Sequence, residues 1–304
     1  MTMPNFLVIG TAKAGTDALC HYLGQHPQVF VSANKEPLFF VAEGRSNMPY
    51  RGPGDRETLR RHDMWISSRV TYESLFAAAN GAKAIGEGST WYLYDESAPI
   101  RIHRDVPGVK MIAVLRNPAD RAYSAFTMLL RDGRETTTNF VDALEAEDGR
   151  VRTGWEPIWH YRRMGFYHEQ LTRYLSLFDR TQIHVVLYDD FAARPLETLA
   201  EIFHFLGVDD SFSPEVSERL NVSLVPEHAS YHRLVNGHGA LKGAGRALLP
   251  AAVRERVRER LPQSTMVKPG PMPAEARTML IDQFRPDVHR LERLLGRELG
   301  TWLQ

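Results

Sequence analysis

Short apolar runs recur along the chain at intervals that suit buried strands. They are rich in Val, Ile and Leu, and they lack a clean alternation of apolar and polar positions. A strand that is covered on both faces has this composition. The pattern predicts five strands, at Phe6–Ile9, Val29–Val31, Ala84–Gly86, Met111–Leu115 and Ile183–Leu187.

Stretches with apolar residues at helical spacing separate most of these runs. The first stops before Gly24 and Pro27, and the second has Asn117 as N-cap and Pro118 at its first helical position. The predicted helices span Thr16–Leu23, Pro118–Leu130, Tyr167–Leu177 and Leu196–Leu206. This alternation predicts an α/β fold with a central, mainly parallel five-stranded sheet flanked by helices.

Polar stretches with clustered Gly, Pro or Thr predict loops at Glu43–Arg61, Asp132–Asn139 and Pro262–Pro273. The run Arg254–Arg260 alternates in charge and predicts a solvated helical face. No linker divides the chain convincingly, so we expect residues 1–304 to form one domain. The segments 43–70 and 208–275 are its least defined parts.

The composition is that of a globular protein with a hydrophobic core. The 304 residues are 43% hydrophobic, and 37 basic side chains balance 37 acidic ones, which argues against a general nucleic-acid binder. The one cysteine, Cys20, has apolar helical neighbours and is expected to be a buried thiol. Without an apolar run of membrane-spanning length or a signal-peptide pattern, we expect a cytoplasmic protein.

The first candidate for chemistry is the turn that joins the first strand to the first helix. Gly10 and Gly15 have the spacing of a phosphate-binding loop, whose backbone N–H groups converge and whose following helix adds its positive end. Nucleoside triphosphatases place Lys directly after the last Gly, followed by Ser or Thr. Here Lys13 precedes Gly15, so a phosphate cradle is predicted without the triphosphatase apparatus. The alternative is a Gly-rich turn with a solvated Lys.

The second candidate follows the fourth strand, in the run from Arg116 to Ser124. Arg116 stands at the carboxyl end of a strand, which is where open α/β sheets bind ligands. Ser124 lies seven residues beyond Asn117, about two helical turns along the same face. A guanidinium and a hydroxyl there suit a second phosphate. The alternative is an Arg paired with a carboxylate and an ordinary helical Ser.

These motifs resemble those of the sulfotransferases that use 3′-phosphoadenosine 5′-phosphosulfate (PAPS). Lys13-Ala14-Gly15-Thr16 is similar to that family's 5′-phosphosulfate loop, and the run from Arg116 to Ser124 is similar to its 3′-phosphate motif. Lys35-Glu36-Pro37-Leu38-Phe39-Phe40 resembles a Lys-Glu-Pro-His-Phe-Phe run of the bacterial and Golgi carbohydrate-type branch, with Leu38 in place of the His. Further similar segments are Gly86–Thr90, Gly165–Tyr167, Val186–Asp190, Phe205–Gly207 and Phe284–Trp302.

The resemblance implies a single α/β domain related to nucleotide kinases. It implies PAPS as sulfuryl donor and no metal. The implied product is PAP, the nucleotide that remains when PAPS has lost its sulfuryl group. The implied cofactor-binding residues are Lys13, Ala14, Gly15, Thr16, Asp17, Ala18, Arg116 and Ser124. Lys13 would meet the negative charge that grows on the bridging oxygen as the sulfuryl group leaves.

The acceptor hydroxyl needs a base, and the resemblance to the carbohydrate-type branch points to Glu36. Its neighbours Pro37–Phe40 would bury it and raise its pKa. Glu36 as an ion-pair partner of Lys35 or Lys13 is the alternative. Glu87 and the histidines His103, His160 and His168 are further candidates for the base.

The acceptor itself is predicted only as a class. Trp91, Trp155 and Trp159 lie near motifs or after loops, and aromatic platforms suit sugars and flat natural products, although core packing is the commoner fate of a Trp. We expect a hydroxyl of a carbohydrate, glycolipid or secondary metabolite. The Gly-x-x-Gly-x-x-Lys loop of the hormone-type branch has no match, and Asn221–Arg233 stands where a nucleotide-covering loop would fall.

The alternative functions are a P-loop-type nucleotide kinase and a catalytically silent nucleotide-binding protein. The position of Lys13 argues against the first, and the presence of Arg116, Ser124 and Glu36 argues against the second.

Overall fold

A computed structural model describes residues 2–45, 50, 52, 65–216, 225–226 and 266–304. Much of the loop predicted over Glu43–Arg61 lies outside the described residues. So does the predicted helical face Arg254–Arg260 and, apart from Val225 and Pro226, the segment Asn221–Arg233.

All five predicted strands form one parallel sheet. The strands are β1 Phe6–Gly10, β2 Val29–Val31, β3 Ala84–Gly88, β4 Lys110–Leu115 and β5 Ile183–Leu187. Their order is β2-β3-β1-β4-β5, and Phe6 of the central strand lies opposite Gly86 on one side and Lys110 on the other. Every pairing in this sheet is parallel, as predicted.

Helices connect the strands and extend the chain beyond them. They are α1 Thr16–Leu23, α2 Phe39–Ala42, α3 Arg69–Ser74, α4 Ala98–Asp105, α5 Pro118–Arg131, α6 Phe140–Glu145, α7 Glu147–Arg152, α8 Tyr167–Leu175, α9 Tyr188–Ala193, α10 Pro195–Leu206 and α11 Ala274–Leu295. The four predicted helices correspond to α1, α5, α8 and α10, with ends within two residues of the prediction. A short antiparallel pair joins β6 Val225–Pro226 to β7 Met266–Val267.

Helices cover the sheet on both faces. Leu7 and Ile9 of β1 face one apolar cluster, which includes residues of α2, α4, α5, α8 and α11, whereas Phe6 and Val8 face a second cluster with α1 and α10. Side chains alternate across a strand, so a strand between two helical layers is apolar at every position. This explains why the strand runs in the sequence show no alternation.

The longest helix among the described residues, α11, was not predicted from the apolar pattern. It has 22 residues and contains Pro286 in its interior, a residue that normally ends a helix. Its buried face nevertheless follows helical spacing, through Leu280, Phe284, Val288 and Leu291. Within the ranges that the structure describes, neither α11 nor any other helix has the length and apolarity needed to cross a membrane.

The segment Asp132–Asn139 is a loop, as predicted, but charged residues in it are buried. Arg134 and Glu135 are each 1% exposed. Arg134 bonds the carboxylate of Glu156 at 2.7 Å and stacks over the ring of Trp159, while Arg150 bonds Glu135 at 2.8 Å. A buried charge is tolerated when it is paired, so polarity alone does not place this segment at the surface.

A second buried polar cluster surrounds Glu87 on β3. This residue is fully buried. Its Oε1 accepts hydrogen bonds from the hydroxyls of Tyr72, at 3.0 Å, and Tyr92, at 2.8 Å, and its Oε2 accepts one from Ser89 at 2.8 Å. Burial raises the pKa of Glu87 to about 7, although the three hydroxyl donors oppose this shift.

The raised pKa of Glu87 predicts a pH dependence of stability. Because the folded state holds this proton more tightly than an unfolded chain with a pKa of 4.5, the stabilisation is complete below pH 4.5 and is lost as the pH rises through about 7. Each unit of pKa shift is worth 1.36 kcal/mol, so the stabilisation lost is about 3 kcal/mol. The variant Glu87→Gln lacks this titrating group. Its free energy of unfolding should therefore rise relative to that of the wild type between pH 4.5 and 8.

Urea unfolding of both proteins at pH 4.5, 6 and 8 measures this difference, and other titrating groups cancel in the comparison. Parallel pH profiles for the two proteins would contradict the assignment.

Candidate active site

The turn between β1 and α1 requires glycine at both ends. Gly10 has φ +152°, and a Cβ there would lie 2.9 Å from the carbonyl oxygen of Thr90. Gly15 has φ +86°, and a Cβ there would lie 3.3 Å from the ring of Tyr188. The turn is tied to the neighbouring strand, since the N–H of Thr11 bonds the carbonyl of Val114 at 2.8 Å. A side chain at either position would be strained by the positive φ, and at Gly10 it would also meet the carbonyl oxygen of Thr90.

The turn that is predicted to cradle a phosphate leads directly into α1. Gly15 is the left-handed N-cap of this helix and contributes no side-chain cap. The first N–H groups of a helix have no partner within it, so those of Thr16, Asp17 and Ala18 mark an anion-binding end. Ala14 and Thr16 are buried, whereas the side chain of Asp17 is exposed. The arrangement can hold a phosphate through backbone N–H groups.

Lys13 lies inside this turn in a left-handed backbone conformation, with φ 72°. Its Nζ is 3.3 Å from the sulfur of Met128 on α5, and a thioether is a weak acceptor. Burial lowers the pKa of Lys13, and the positive charge of Arg131 lowers it further. An anion bound in the turn would raise the pKa of Lys13 again, because it favours the charged amine.

Arg116 joins the two predicted motifs. Its Nη1 donates to the backbone carbonyl of Lys13 at 3.1 Å, and its guanidinium lies 4.7 Å from the ring centre of Tyr188. Tyr188 is the first residue of α9, directly after β5. The ends of β1, β4 and β5 therefore meet at this guanidinium. Tyr188 was missed as a site residue, although an aromatic directly after a predicted strand could have indicated it.

Ser124 lies two turns along α5 and is buried. In the part of the chain that the structure describes, no hydrogen bond joins its side chain to Arg116. The backbone of β6 contacts α5, which brings a piece of the segment 208–275 beside the helix that carries Ser124. The predicted cap is confirmed, because Asn117 Oδ1 accepts from the N–H of Ala119 at 3.0 Å.

The C-terminus supports this side of the site. Asn117 Nδ2 donates to the backbone carbonyl of Trp302 at 3.3 Å. The indole of Trp302 donates to Asp189 beside Tyr188, also at 3.3 Å. The last turn of the chain thus connects the ends of β4 and β5 from outside the sheet.

Glu36 reaches the same edge from the loop after β2. Its backbone has φ 56°, and its N–H bonds the carbonyl of Gly88 at 3.2 Å. Its carboxylate accepts the N–H of Thr90 at 2.9 Å and the hydroxyl of Thr90 at 2.8 Å. Because the carbonyl of Thr90 approaches Gly10, the structure brings Glu36 next to the cradle.

The other candidates for the base are placed less favourably. Glu87 is fully buried among hydroxyls, and His103 is exposed near the C-terminal end of α4, where it packs against Phe178. His160 is bonded to Tyr94 and to the carbonyl of Trp155, and burial lowers its pKa to about 4. His168 lies at the start of α8 and is half-buried.

The three predicted platform residues have different fates. Trp159 is fully buried under Arg134, and Trp155 packs against it. Trp91 is 8% exposed, and its ring contacts Tyr50 at 5.7 Å between centres. Tyr50 also lines a cleft of about 560 Å³, together with Arg45, Tyr94, Asp95, Glu96, Ser97, Arg163, Phe166, Glu169, Gln170 and Arg173. Just over half of the residues that line this cleft are charged.

Comparison with known proteins agrees with these features. Residues 4–213 match the model of the sulfotransferase family. A solved sulfotransferase from Alicyclobacillus acidocaldarius is 31% identical, covers both chains completely and superposes with a TM-score of 0.77.

Two curated relatives have names that describe enzymes of heparan sulfate modification. The bifunctional heparan sulfate N-deacetylase/N-sulfotransferase 3 of Mus musculus is 26% identical over 99% of this chain, which spans only 31% of that relative. The heparan sulfate glucosamine 3-O-sulfotransferase 6 of Homo sapiens is 25% identical over 98% of this chain and 73% of its own length. From the family match and the solved relative, the chain belongs to the sulfotransferase family.

Proposed function

We propose that residues 1–304 act as one sulfotransferase domain, which transfers a sulfuryl group from PAPS to a hydroxyl of a carbohydrate, glycolipid or secondary-metabolite acceptor. The observation that carries this proposal is the contact between Arg116 and the backbone of Lys13. It sets a cation beside a phosphate cradle at the adjacent ends of β1 and β4. A chain with a single cysteine also suits the reducing cytoplasm, where we place the protein.

The nucleotide would bind across the two motifs. The N–H groups at the start of α1, over Ala14–Ala18, would hold the 5′-phosphosulfate, and Arg116 and Ser124 would hold the 3′-phosphate of PAPS and of the product PAP. The glycines at both ends of the turn support this fit, since they bring no side chain of their own to the turn. When bound, PAPS supplies the sulfuryl group and a phosphate oxygen as leaving group.

Lys13 would stabilise the leaving phosphate oxygen. Negative charge develops on the oxygen between phosphorus and sulfur, and a fixed cation in a water-poor site lowers the energy of that state. Lys13 fits this role because it is half-buried, lies within the turn and has the soft thioether of Met128 beside its amine.

Glu36 would take the proton of the acceptor hydroxyl onto a carboxylate oxygen. The two bonds from Thr90 fix the orientation of the carboxylate, which a general base requires. Its half-buried position leaves part of the side chain accessible to an acceptor, whereas Glu87 has no exposed surface.

The charged cleft beside Tyr50 supports a polar acceptor. Arginines and carboxylates line it together with the rings of Tyr50 and Tyr94. Such a mixture suits a saccharide, whose hydroxyls bond charged groups and whose ring faces pack on aromatics. The heparan sulfate relatives point in the same direction.

A transfer assay tests the proposed function directly. Purified protein is given sulfur-labelled PAPS and an acceptor panel of desulfated heparan saccharides, glycolipids and polyphenols, without added metal. We expect labelled product with at least one class, and the heparan saccharides are the first choice. Protein that binds PAP but labels nothing in the panel would speak against the proposed acceptor classes.

Replacing Lys13 should abolish most of this transfer. Loss of one preorganised charge at a developing anion lowers kcat by about 10²–10³-fold, and we expect this of Lys13→Ala. Lys83→Ala is the matched control, since Lys83 is exposed and precedes β3 at the opposite edge of the sheet. Single-turnover rates with saturating PAPS provide the comparison. Similar rates for the two variants would remove Lys13 from the reaction.

Replacing Glu36 should separate chemistry from cofactor binding. The amide of Glu36→Gln keeps the size of the side chain but cannot accept the proton, so kcat should fall by about 10²-fold or more while the Kd for PAP stays unchanged. Glu43→Gln is the control, because Glu43 lies on the same segment as Glu36 but forms a surface ion pair with Arg104. If the rate and its pH profile survive in Glu36→Gln, the base lies elsewhere.

A further inference from the structure

Two hydrogen-bond relays run from the buried carboxyl of Glu87 to the loop that carries Glu36. In the first, Ser89 Oγ donates to Glu87 Oε2 at 2.8 Å and accepts the N–H of Leu38 at 3.0 Å. In the second, the hydroxyl of Tyr92 donates to Glu87 Oε1 at 2.8 Å and accepts the N–H of Phe40 at 3.4 Å. Both relays end on backbone groups within four residues of Glu36.

This loop needs an external support because its backbone is unfavourable. Glu36 and Leu38 both have positive φ, 56° and 51°, on either side of Pro37. Residues other than glycine adopt this conformation at a cost, and it persists only where neighbouring groups hold it. The N–H groups of Leu38 and Phe40 belong to fully buried residues, so each needs an acceptor inside the protein.

The carboxyl of Glu87 determines which way the two hydroxyls point. A hydroxyl has one hydrogen and two lone pairs. When that hydrogen is directed to Glu87, the lone pairs of Ser89 and Tyr92 are left for the loop N–H groups. Without an acceptor at Glu87, either hydroxyl could turn its hydrogen toward the loop and lose the bond.

We propose that Glu87 is a positioning residue, which acts through Ser89 and Tyr92 to hold the left-handed loop that presents Glu36 to the acceptor. The inference rests on the proposed function of Glu36. Glu87 itself touches neither cofactor nor acceptor, because it is fully buried.

The chain offers a matched pair of variants for this test. Ser89 and Tyr72 each give one hydroxyl hydrogen to Glu87, at 2.8 and 3.0 Å. Of these two residues, only Ser89 also accepts an N–H of the loop. Tyr72 contacts the loop through stacking of its ring on Phe39, and Tyr72→Phe preserves this stacking. Ser89→Ala and Tyr72→Phe therefore weaken the same cluster, but only the first cuts a relay.

The first measurement is amide hydrogen exchange at Leu38 and Phe40 in the PAP-bound protein. We expect faster exchange at Leu38 in Ser89→Ala, by about tenfold or more, and exchange near the wild-type rate in Tyr72→Phe. Equal exchange at Leu38 in the two variants would overturn the proposal, whatever acceptor the protein uses.

The second measurement is transfer from labelled PAPS to the acceptor found in the panel assay. A displaced base lowers kcat without changing nucleotide binding, so Ser89→Ala should lose about tenfold or more in kcat with an unchanged KM for PAPS. At pH 8, where the carboxyl of Glu87 is ionised, Glu87→Gln should show the same split, since its amide cannot accept on both sides. Equal kcat values for Ser89→Ala and Tyr72→Phe would overturn the proposal.

The variant Glu36→Gln distinguishes the two levels of the account. If Glu36→Gln is inactive while Ser89→Ala matches Tyr72→Phe in both measurements, the positioning role fails and the proposed function stands. If Glu36→Gln retains full activity, the role of Glu36 as base fails, and the exchange measurement still decides whether Glu87 holds the loop.

Discussion

The site depends on the contact between the Arg116 guanidinium and the backbone carbonyl of Lys13. This bond joins the ends of β1 and β4, the adjacent strands from which the chain departs in opposite directions. A crevice opens at such a point in a parallel sheet, outside the carboxyl ends of the strands. Because every strand pairing in this sheet is parallel, the loops with Glu36 and Tyr188 emerge at the same edge. The order of the strands thus gathers residues that lie far apart in sequence.

Unfavourable backbone is concentrated at this edge. Lys13, Glu36 and Leu38 all have positive φ without being glycine. Strain of this kind is retained where the surroundings determine it, and the surroundings here are hydrogen bonds donated by Arg116 and Thr90 and one accepted by Ser89. The buried cluster at Glu87 lies behind one of these supports, so a polar group in the core contributes to the geometry of the surface. The candidate site is therefore held by the buried cluster at Glu87 as well as by its own loops.

The sequence was sufficient for the sheet and for the glycine turn between β1 and α1, because both depend on local patterns. Buried strands read as apolar runs, and the turn at Gly10–Gly15 requires glycine by its own conformation. It was insufficient where burial is decided by distant partners. Arg134 and Glu135 are polar residues that pair in the interior, and α11 continues through Pro286 because its apolar face packs on the core. The relay from Glu87 to Leu38 joins residues 49 positions apart through Ser89, so no local pattern could indicate it.

Calorimetric titration with PAP, in the wild type and in Arg116→Ala, measures whether Arg116 holds the nucleotide. The wild type should bind PAP without magnesium, and Arg116→Ala should lose about 10–100-fold in affinity, as expected when a charged hydrogen-bond partner is removed. Arg285→Ala, an exposed arginine on α11, should bind as the wild type does. Unchanged affinity in Arg116→Ala, or tighter binding of ATP with magnesium than of PAP, would contradict the account.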